Sequence, residues 1–387
     1  MNAPQKSDWL LVLIIWLAGL GAAAQYAKIG VIYSQLGDHY AEAGAAFGFS
    51  VSLVGFIGIV FGVIAGHLVV GVGYRRALVG GLALGGLLSF FQALLPAFPV
   101  FLASRVIEGA AHLAIVVAAP TLIAQVTSEA GRGFALTLWG TFFGVAFAFL
   151  AWVGLPFALN QGLPALFVSH GMWMLAAAAL LWVRLPGDAP APARAKVSLV
   201  ARHLLIYRSA YISAPAVGWL FYTFSFLSML TFLPQFVDET WREFVRGAMP
   251  LISIIVSLSV GVWLLKLTSS FFVIQTGFLL SVVTLLLLLF FSGHPVLCLL
   301  FASGLGLVQG ASFAAVPELN GSTADRALAN GGLAQMGNLG NTLGTPVFAL
   351  VIDAAGYGPM VILGMLALLG GAMAHLLLAR VREMSAT

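Results

Sequence analysis

An all-helical, polytopic membrane fold is predicted from three observations. Of the 387 residues, 61% are hydrophobic and 8% charged, whereas a water-soluble chain carries about a quarter charged residues. Apolar stretches of about 20 residues recur along the chain, each long enough to cross a hydrocarbon core of roughly 30 Å. These are continuous apolar runs, unlike the alternating segments of about 10 residues that build a transmembrane β-barrel. The net charge of +4 does not mark a nucleic-acid binder, because the 17 basic residues are scattered over the connections and form no basic face.

In chain order the predicted spans are 9–35, 46–70, 77–95, 98–125, 133–155, 165–184, 209–233, 247–266, 270–292, 295–317, 329–353 and 358–379. The first follows Lys6 and runs from Leu10 past Gly30 without the short apolar core and cleavage site of a signal peptide, so it reads as a retained helix. An even number of spans puts both termini on one side. Lys6, Arg75, Arg76, Arg132, Arg184, Arg194, Lys196, Arg202, Arg208, Lys266, Arg326, Arg380 and Arg382 fall on that side, and only Arg242 and Arg246 fall opposite. The positive-inside rule then places the termini in the cytoplasm, and the expected location is the cell inner (cytoplasmic) membrane. Lys28 and Arg105 are left inside spans.

Between spans six and seven, Leu185 to Ala201 reads LPGDAPAPARAKVSLVA, a Pro/Ala-rich, basic connection suited to an inter-domain linker. The expected organisation is residues 1–185 as one six-helix bundle, 186–205 as a cytoplasmic linker and 206–387 as a second six-helix bundle. The glycine pair Gly140 and Gly144 in span five is answered by Gly340 and Gly344 in span eleven. Such pseudo-symmetric duplication is common in secondary transporters.

The connection after span two, GHLVVGVGYRRAL from Gly66 to Leu78, resembles the loop 2–3 signature of the major facilitator superfamily, G-x-x-x-D-R-x-G-R-R. Gly66, Gly73, Arg75 and Arg76 match; Val70 and Gly71 stand where that family has Asp and its first Arg, so its usual gate-holding charge pair is expected to be missing. Span four, RVIEGAAHL, resembles the family's R-x-x-x-G motif through Arg105 and Gly109. The resemblance covers essentially the whole chain. It implies a fold of twelve helices in two bundles, alternating access and solute transport, with a functional role for Arg105. Span five lacks the G-P-x-x-G-G form of the family's drug and proton antiporters.

A charge at the bilayer centre costs roughly 2.5–17 kcal/mol unless a partner or water meets it, so each one needs a reason. Arg105, Glu108 and His112 are spaced i, i+3, i+7, which puts them within about 60° of one helix face. Either Glu108 merely neutralises Arg105 and His112 is a satisfied bundle histidine, or Arg105 receives a substrate anion while Glu108 or His112 carries a proton. In span one, Gln25 and Lys28 lie one turn apart, with Tyr26 beside them. If Lys28 faces Arg105, two cations stand against one carboxylate and an anion is favoured; the alternative for Lys28 is snorkelling to the interface.

In span eleven, Gln335, Asn338, Asn341, Thr342 and Thr345 fall within an arc of about 140° counted from Asn330 on a 3.6-residue helix. They either face a solute or bridge helices. Tyr222, Ser225, Phe226 and Met229 form a stripe in span seven with the same two readings. The expected solute contacts are therefore Arg105, Lys28, Gln25, Tyr26, Tyr222, Gln335, Asn338 and Asn341. Gly58, Gly62 and Gly66 form a G-x-x-x-G stripe that suits close helix packing. Asn320, Gly321 and Ser322 make a glycosylation sequon that the topology places in the cytoplasm, a chance match. Cys298, the one cysteine, excludes a disulfide framework or thiolate cluster.

No phosphate-binding G-x-x-x-x-G-K-[ST] loop, H-E-x-x-H or G-x-S-x-G is present, so neither enzyme chemistry nor ATP hydrolysis is expected, and no cofactor or metal. The leading expectation is a monomeric secondary transporter for a small organic anion, coupled to protons through Glu108 and His112. An exporter of a larger amphipathic metabolite, siderophore or drug is the rival reading. A non-transporting scaffold or receptor is third, disfavoured by the intramembrane charges.

Overall fold

A computed structural model describes residues 6–188 and 198–386. The core of the expected linker, residues 189–197 with Arg194 and Lys196, lies outside the described residues. Those described contain no strand, and a helix stands at each predicted span. These are α1 Trp9–Val31, α2 Ala41–Val72, α3 Tyr74–Gln92, α4 Phe98–Val126, α5 Glu129–Gln161, α6 Leu163–Arg184, α7 Ala210–Phe236, α8 Glu239–Leu267, α9 Ser270–Phe290, α10 Pro295–Leu319, α11 Thr323–Ala355 and α12 Tyr357–Met384. Ten are long and apolar enough to cross a membrane. The other two are α3, which opens on Arg75 and Arg76, and α11, with its polar arc.

The helices begin where the sequence supplies caps. Asp8 accepts from Leu11 N at 3.0 Å, Ser128 from Gly131 N at 3.3 Å, Ser209 from Ile212 N at 3.3 Å and Ser322 from Asp325 N at 3.0 Å, each satisfying a backbone donor that a helix start leaves unpaired. Pro99, Pro164 and Pro295 stand in the first turns of α4, α6 and α10, where a missing N–H costs nothing. Glu318 caps α9 by accepting from Ser270 N at 3.0 Å. Helices outrun their apolar cores where polar residues continue them. α8 begins at Glu239, so Arg242 and Arg246, expected in a loop, lie in its first turns, with Arg246 paired to Glu243 at 2.7 Å.

The chain forms two compact units, Met1–Ala41 with Ile64–Lys196 and Glu42–Val63 with Val197–Thr387. Residues 42–63, the longer part of α2, thus pack within the second unit, where the sequence places them in the first bundle. Small residues explain the exchange. A Cβ on Gly62 would lie 3.4 Å from the Gln335 backbone and one on Gly58 would overlap the Asn338 amide, so α11 lies directly on this face. A Cβ on Gly66, the third glycine of the stripe, would meet nothing within 4 Å. The helix is also broken there, with 3₁₀ turns at Leu53–Gly55 and Gly62–Ile64.

In the first unit the apolar core joins Ile15, Ala18 and Ala22 of α1 to Leu78 and Leu82 of α3, Ile115 and Leu122 of α4, Trp139 of α5 and Met174 of α6. α1 is buried at every residue from Gly21 to Val31. α3 and α6 cross at Gly86 and Gly171, where a Cβ on either would lie 3.1 or 3.0 Å from the other's carbonyl oxygen. That crossing sets Ser89 and His170 side by side. In the second unit, Gly340 and Gly344 let α11 approach α7 at Leu220 and Phe224, whereas a Cβ on Gly140 would meet nothing within 4 Å. Gly140 thus does not repeat the packing role of Gly340.

Candidate functional site

α4 supplies three ionisable residues to one face, as its spacing requires, and α1 brings two more polar side chains against it. Glu108 is the centre. Its Oε1 accepts from Lys28 Nζ at 2.8 Å, and its Oε2 accepts from Gln92 Nε2 at 2.7 Å and from Arg105 Nη1. Arg105 uses its other fork nitrogen, Nη2, to donate to Gln25 O at 2.6 Å. Lys28, Arg105, Glu108, Gln25, Ser89 and Gln92 are all 0% exposed. Lys28 therefore does not snorkel. Two cations share one carboxylate, and the three formal charges sum to +1.

The remaining protons of Lys28 are met by Ser89 Oγ at 3.2 Å and His170 Nδ1 at 3.3 Å. His170 Nε2 lies 2.9 Å from Gly21 O, an acceptor, so this nitrogen carries the ring proton. His112 holds the opposite tautomer: its Nδ1 lies 3.1 Å from both Ala22 O and Gln25 Oε1, which can only accept. The Tyr26 ring meets His112 edge to face, with centroids 5.1 Å apart. Gln25 Nε2 and the Tyr26 hydroxyl are buried without hydrogen-bond partners.

The structure thus brings together Arg105, Lys28, Gln25, Tyr26, Glu108 and His112, and adds Ser89, Gln92 and His170, which the sequence reading passes over. His170 carried a usable signal: apart from the terminal Arg184, it is the one ionisable side chain of α6. Ser89 and Gln92 carried none, since hydroxyls and single amides near a helix end are ordinary.

The second unit's residues lie in other surroundings. Tyr222 is buried in a stack between Trp219, 4.3 Å away, and Phe226, 5.1 Å away. Gln335 donates to Ile59 O at 2.8 Å and to His203 Nε2 at 2.6 Å, and accepts from Tyr207 at 2.7 Å. It ties α11 to residue 59 and to the short helix Leu199–Arg208. Asn338 donates to Ala334 O of its own helix at 2.7 Å and sits against Gly58. Thr342 reaches Ser52 O at 3.3 Å, and Asn341 is half-buried. Asn320 of the sequon is buried, its amide donating to Val316 O at 3.0 Å.

At the loop 2–3 motif, Gly73 takes φ +99°, a conformation that separates α2 from α3 and that side chains resist. Arg75 and Arg76 follow in the first turn of α3. Their backbone N–H groups donate to Asp188 Oδ1 at 2.8 Å and Oδ2 at 3.1 Å, and Arg76 Nε stands 4.0 Å from Oδ2. The Arg75 guanidinium lies over the Trp182 ring at 4.1 Å and donates to Trp182 O. Asp188, beyond the end of α6, thus caps the start of α3, while Val70 and Gly71 leave the motif's own two charged positions uncharged. Among the described residues no group of three or more His, Cys, Asp or Glu could hold a metal ion.

Buried charges of this kind on helices that cross the membrane suit a transporter, and comparison with known families decides the matter. The family model described as Major Facilitator Superfamily matches residues 11–319. The chain belongs to the Major Facilitator Superfamily. It is a multi-pass membrane transporter of that superfamily, with its all-helical fold. Among solved structures, the Escherichia coli fucose:proton symporter FucP, crystallised as a point variant, resembles it with a TM-score of 0.65. The two share 16% identity, over 96% of this chain and 99% of that one, a likeness of fold. No curated protein matches.

Proposed function

We propose that this superfamily member is a secondary transporter that moves a small organic anion by alternating access, recognises it through a carboxylate and couples it to a proton. The observation that carries the reading is the sharing of Glu108 by Lys28 and Arg105 in a fully buried setting. Glu108 bridges an ammonium with one oxygen and a guanidinium with the other, as an incoming carboxylate would. A proton on Glu108 removes its charge and turns one acceptor oxygen into a donor. Both cations are then released to the solute. Two cations and Glu108 carry +1 before; two cations, a neutral Glu108 and a monoanionic solute carry +1 after. Proton and anion enter together without changing the buried charge, which the bilayer penalises heavily.

The unpartnered Gln25 Nε2 and Tyr26 hydroxyl beside the cluster supply further hydrogen bonds to the solute. His112, with Nδ1 held by Ala22 and Gln25, is the alternative proton carrier. In the second unit, Gln335 and Asn338 act through helix bridging and Tyr222 through its aromatic stack. The fold neighbour is named a fucose:proton symporter, which agrees with proton coupling. From the basic residues of the connections we place both termini on the cytoplasmic side of the cell inner membrane, with the monomer as the working unit. Outward movement of a larger amphipathic solute is the second reading, favoured by the Trp219–Tyr222–Phe226 stack.

The test is uptake of labelled monocarboxylates into proteoliposomes under an imposed pH gradient. Accumulation that follows the gradient and is lost in Arg105→Lys supports the anion reading. Efflux of amphipathic dyes with no carboxylate movement would replace it by the second.

A further inference from the structure

We propose that His170 is a positioning residue for the solute site: as a neutral ring with its proton on Nε2, it accepts from Lys28 at Nδ1 and aims the ammonium at the place a carboxylate occupies. The inference deepens the anion reading and rests on it for its substrate.

The proton count supports this. Gly21 O can only accept, so at 2.9 Å it fixes the His170 proton on Nε2 and leaves Nδ1 with a lone pair. Ser89 Oγ lies 2.8 Å from Phe167 O and 2.9 Å from His170 Nδ1, so its single proton has two acceptors; donated to Phe167 O, it leaves the Nδ1 lone pair to Lys28. Ser89 then faces Lys28 as an acceptor at 3.2 Å, and His170 Nδ1 is the second acceptor at 3.3 Å. Glu108 Oε1 at 2.8 Å is the third. The three ammonium protons have three acceptors, from α3, α4 and α6, and a lysine otherwise free about its long stem is held in one direction. When Glu108 gives up the ammonium to a solute, Ser89 and His170 remain to hold Nζ. The Gly86–Gly171 crossing fixes the spacing of that pair.

Two amides separate the two faces of the ring. Asn at 170 places an acceptor near the Nδ1 position and loses the bond to Gly21; Gln places a donor near the Nε2 position and loses the acceptor for Lys28. We expect His170→Asn to keep KM for a labelled monocarboxylate near wild type. His170→Gln and His170→Phe should raise it about tenfold, the cost of one hydrogen bond to a charged group, with maximal rate retained. A ring that only braces α6 against α1 gives the reverse order, Gln rescuing and Asn not, and overturns the proposal.

A second measurement needs no solute. Melting temperatures of His170→Phe, Lys28→Met and the double variant form a cycle, and direct contact makes the two effects non-additive. Additive shifts overturn the positioning role. If the wild type moves no carboxylate, the anion reading falls, and the cycle still decides whether His170 holds Lys28.

Discussion

Lys28 Nζ and Glu108 Oε1 meet at 2.8 Å across 80 residues of sequence, with neither side chain exposed. Because Arg105 shares the same carboxylate, removing Glu108's charge strands two cations in an apolar interior. Breaking a buried pair by deleting one partner costs about 3–5 kcal/mol. Glu108→Gln should therefore lower the melting temperature of detergent-solubilised protein by several degrees. Lys28→Met added to Glu108→Gln returns the formal charge to +1 and should recover much of that loss. A double variant no more stable than Glu108→Gln would show that the three charges do not act as one unit.

Arg105 uses two nitrogens of its fork on partners in different helices, Glu108 and the Gln25 carbonyl. Lysine has one nitrogen on a flexible stem and cannot hold both directions. Arg105→Lys keeps the charge but gives up one of the two bonds, so it should melt a few degrees below wild type and, corrected for the amount of folded protein, lose at least about tenfold in carboxylate uptake, the scale of one charged hydrogen bond. Unchanged KM in Arg105→Lys would remove the arginine from solute binding.

Asp188 meets two backbone donors at the start of α3, at 2.8 and 3.1 Å, where a helix N-terminus also favours negative charge. Asp188→Ala should cost about 0.5–2 kcal/mol, read as a lower melting temperature, with Asp188→Asn intermediate. If alanine melts like wild type, the carboxylate does not hold this helix start.

The parts of this molecule that the sequence exposes are those the bilayer penalises. Lys28, Arg105, Glu108 and His112 stand out because ionisable side chains in apolar spans need partners, and helical period alone puts the last three on one face. Which partners they find depends on helix crossings that no local pattern encodes. Ser89 and His170 meet only because Gly86 and Gly171 let α3 and α6 touch. Asp188 completes the α3 start from beyond α6, outside the reach of the motif that lacks it. Residues 42–63 read as part of the first bundle because chain order suggests so, but the Gly58 and Gly62 face packs on α11.

That last packing gives its own test. A Cβ on Gly58 would overlap the Asn338 amide, and overpacking typically costs about 1–3 kcal/mol. Gly58→Ala should lower the melting temperature, and Asn338→Ala introduced with it should restore most of the loss by vacating the space. Gly58→Ala without effect would mean that residues 42–63 do not lie this close to α11 in the folded protein.

Proton coupling has two carriers to choose between within α4. Glu108 holds Lys28 and Arg105, so its protonation changes what the cations can bind; His112 donates from Nδ1 to Ala22 and Gln25, and its free Nε2 could take a proton without disturbing either bond. Glutamine at 108 imitates the protonated carboxyl, so Glu108→Gln should abolish accumulation driven by a pH gradient while sparing exchange of solute at equal pH. His112→Ala should leave accumulation intact if Glu108 is the carrier. The comparison is accumulation against exchange in proteoliposomes for both variants, corrected for the amount of folded protein because Glu108→Gln also loosens the cluster. Uncoupling by His112→Ala alone would transfer the role to the histidine, and coupling preserved in both variants would take proton carriage away from α4.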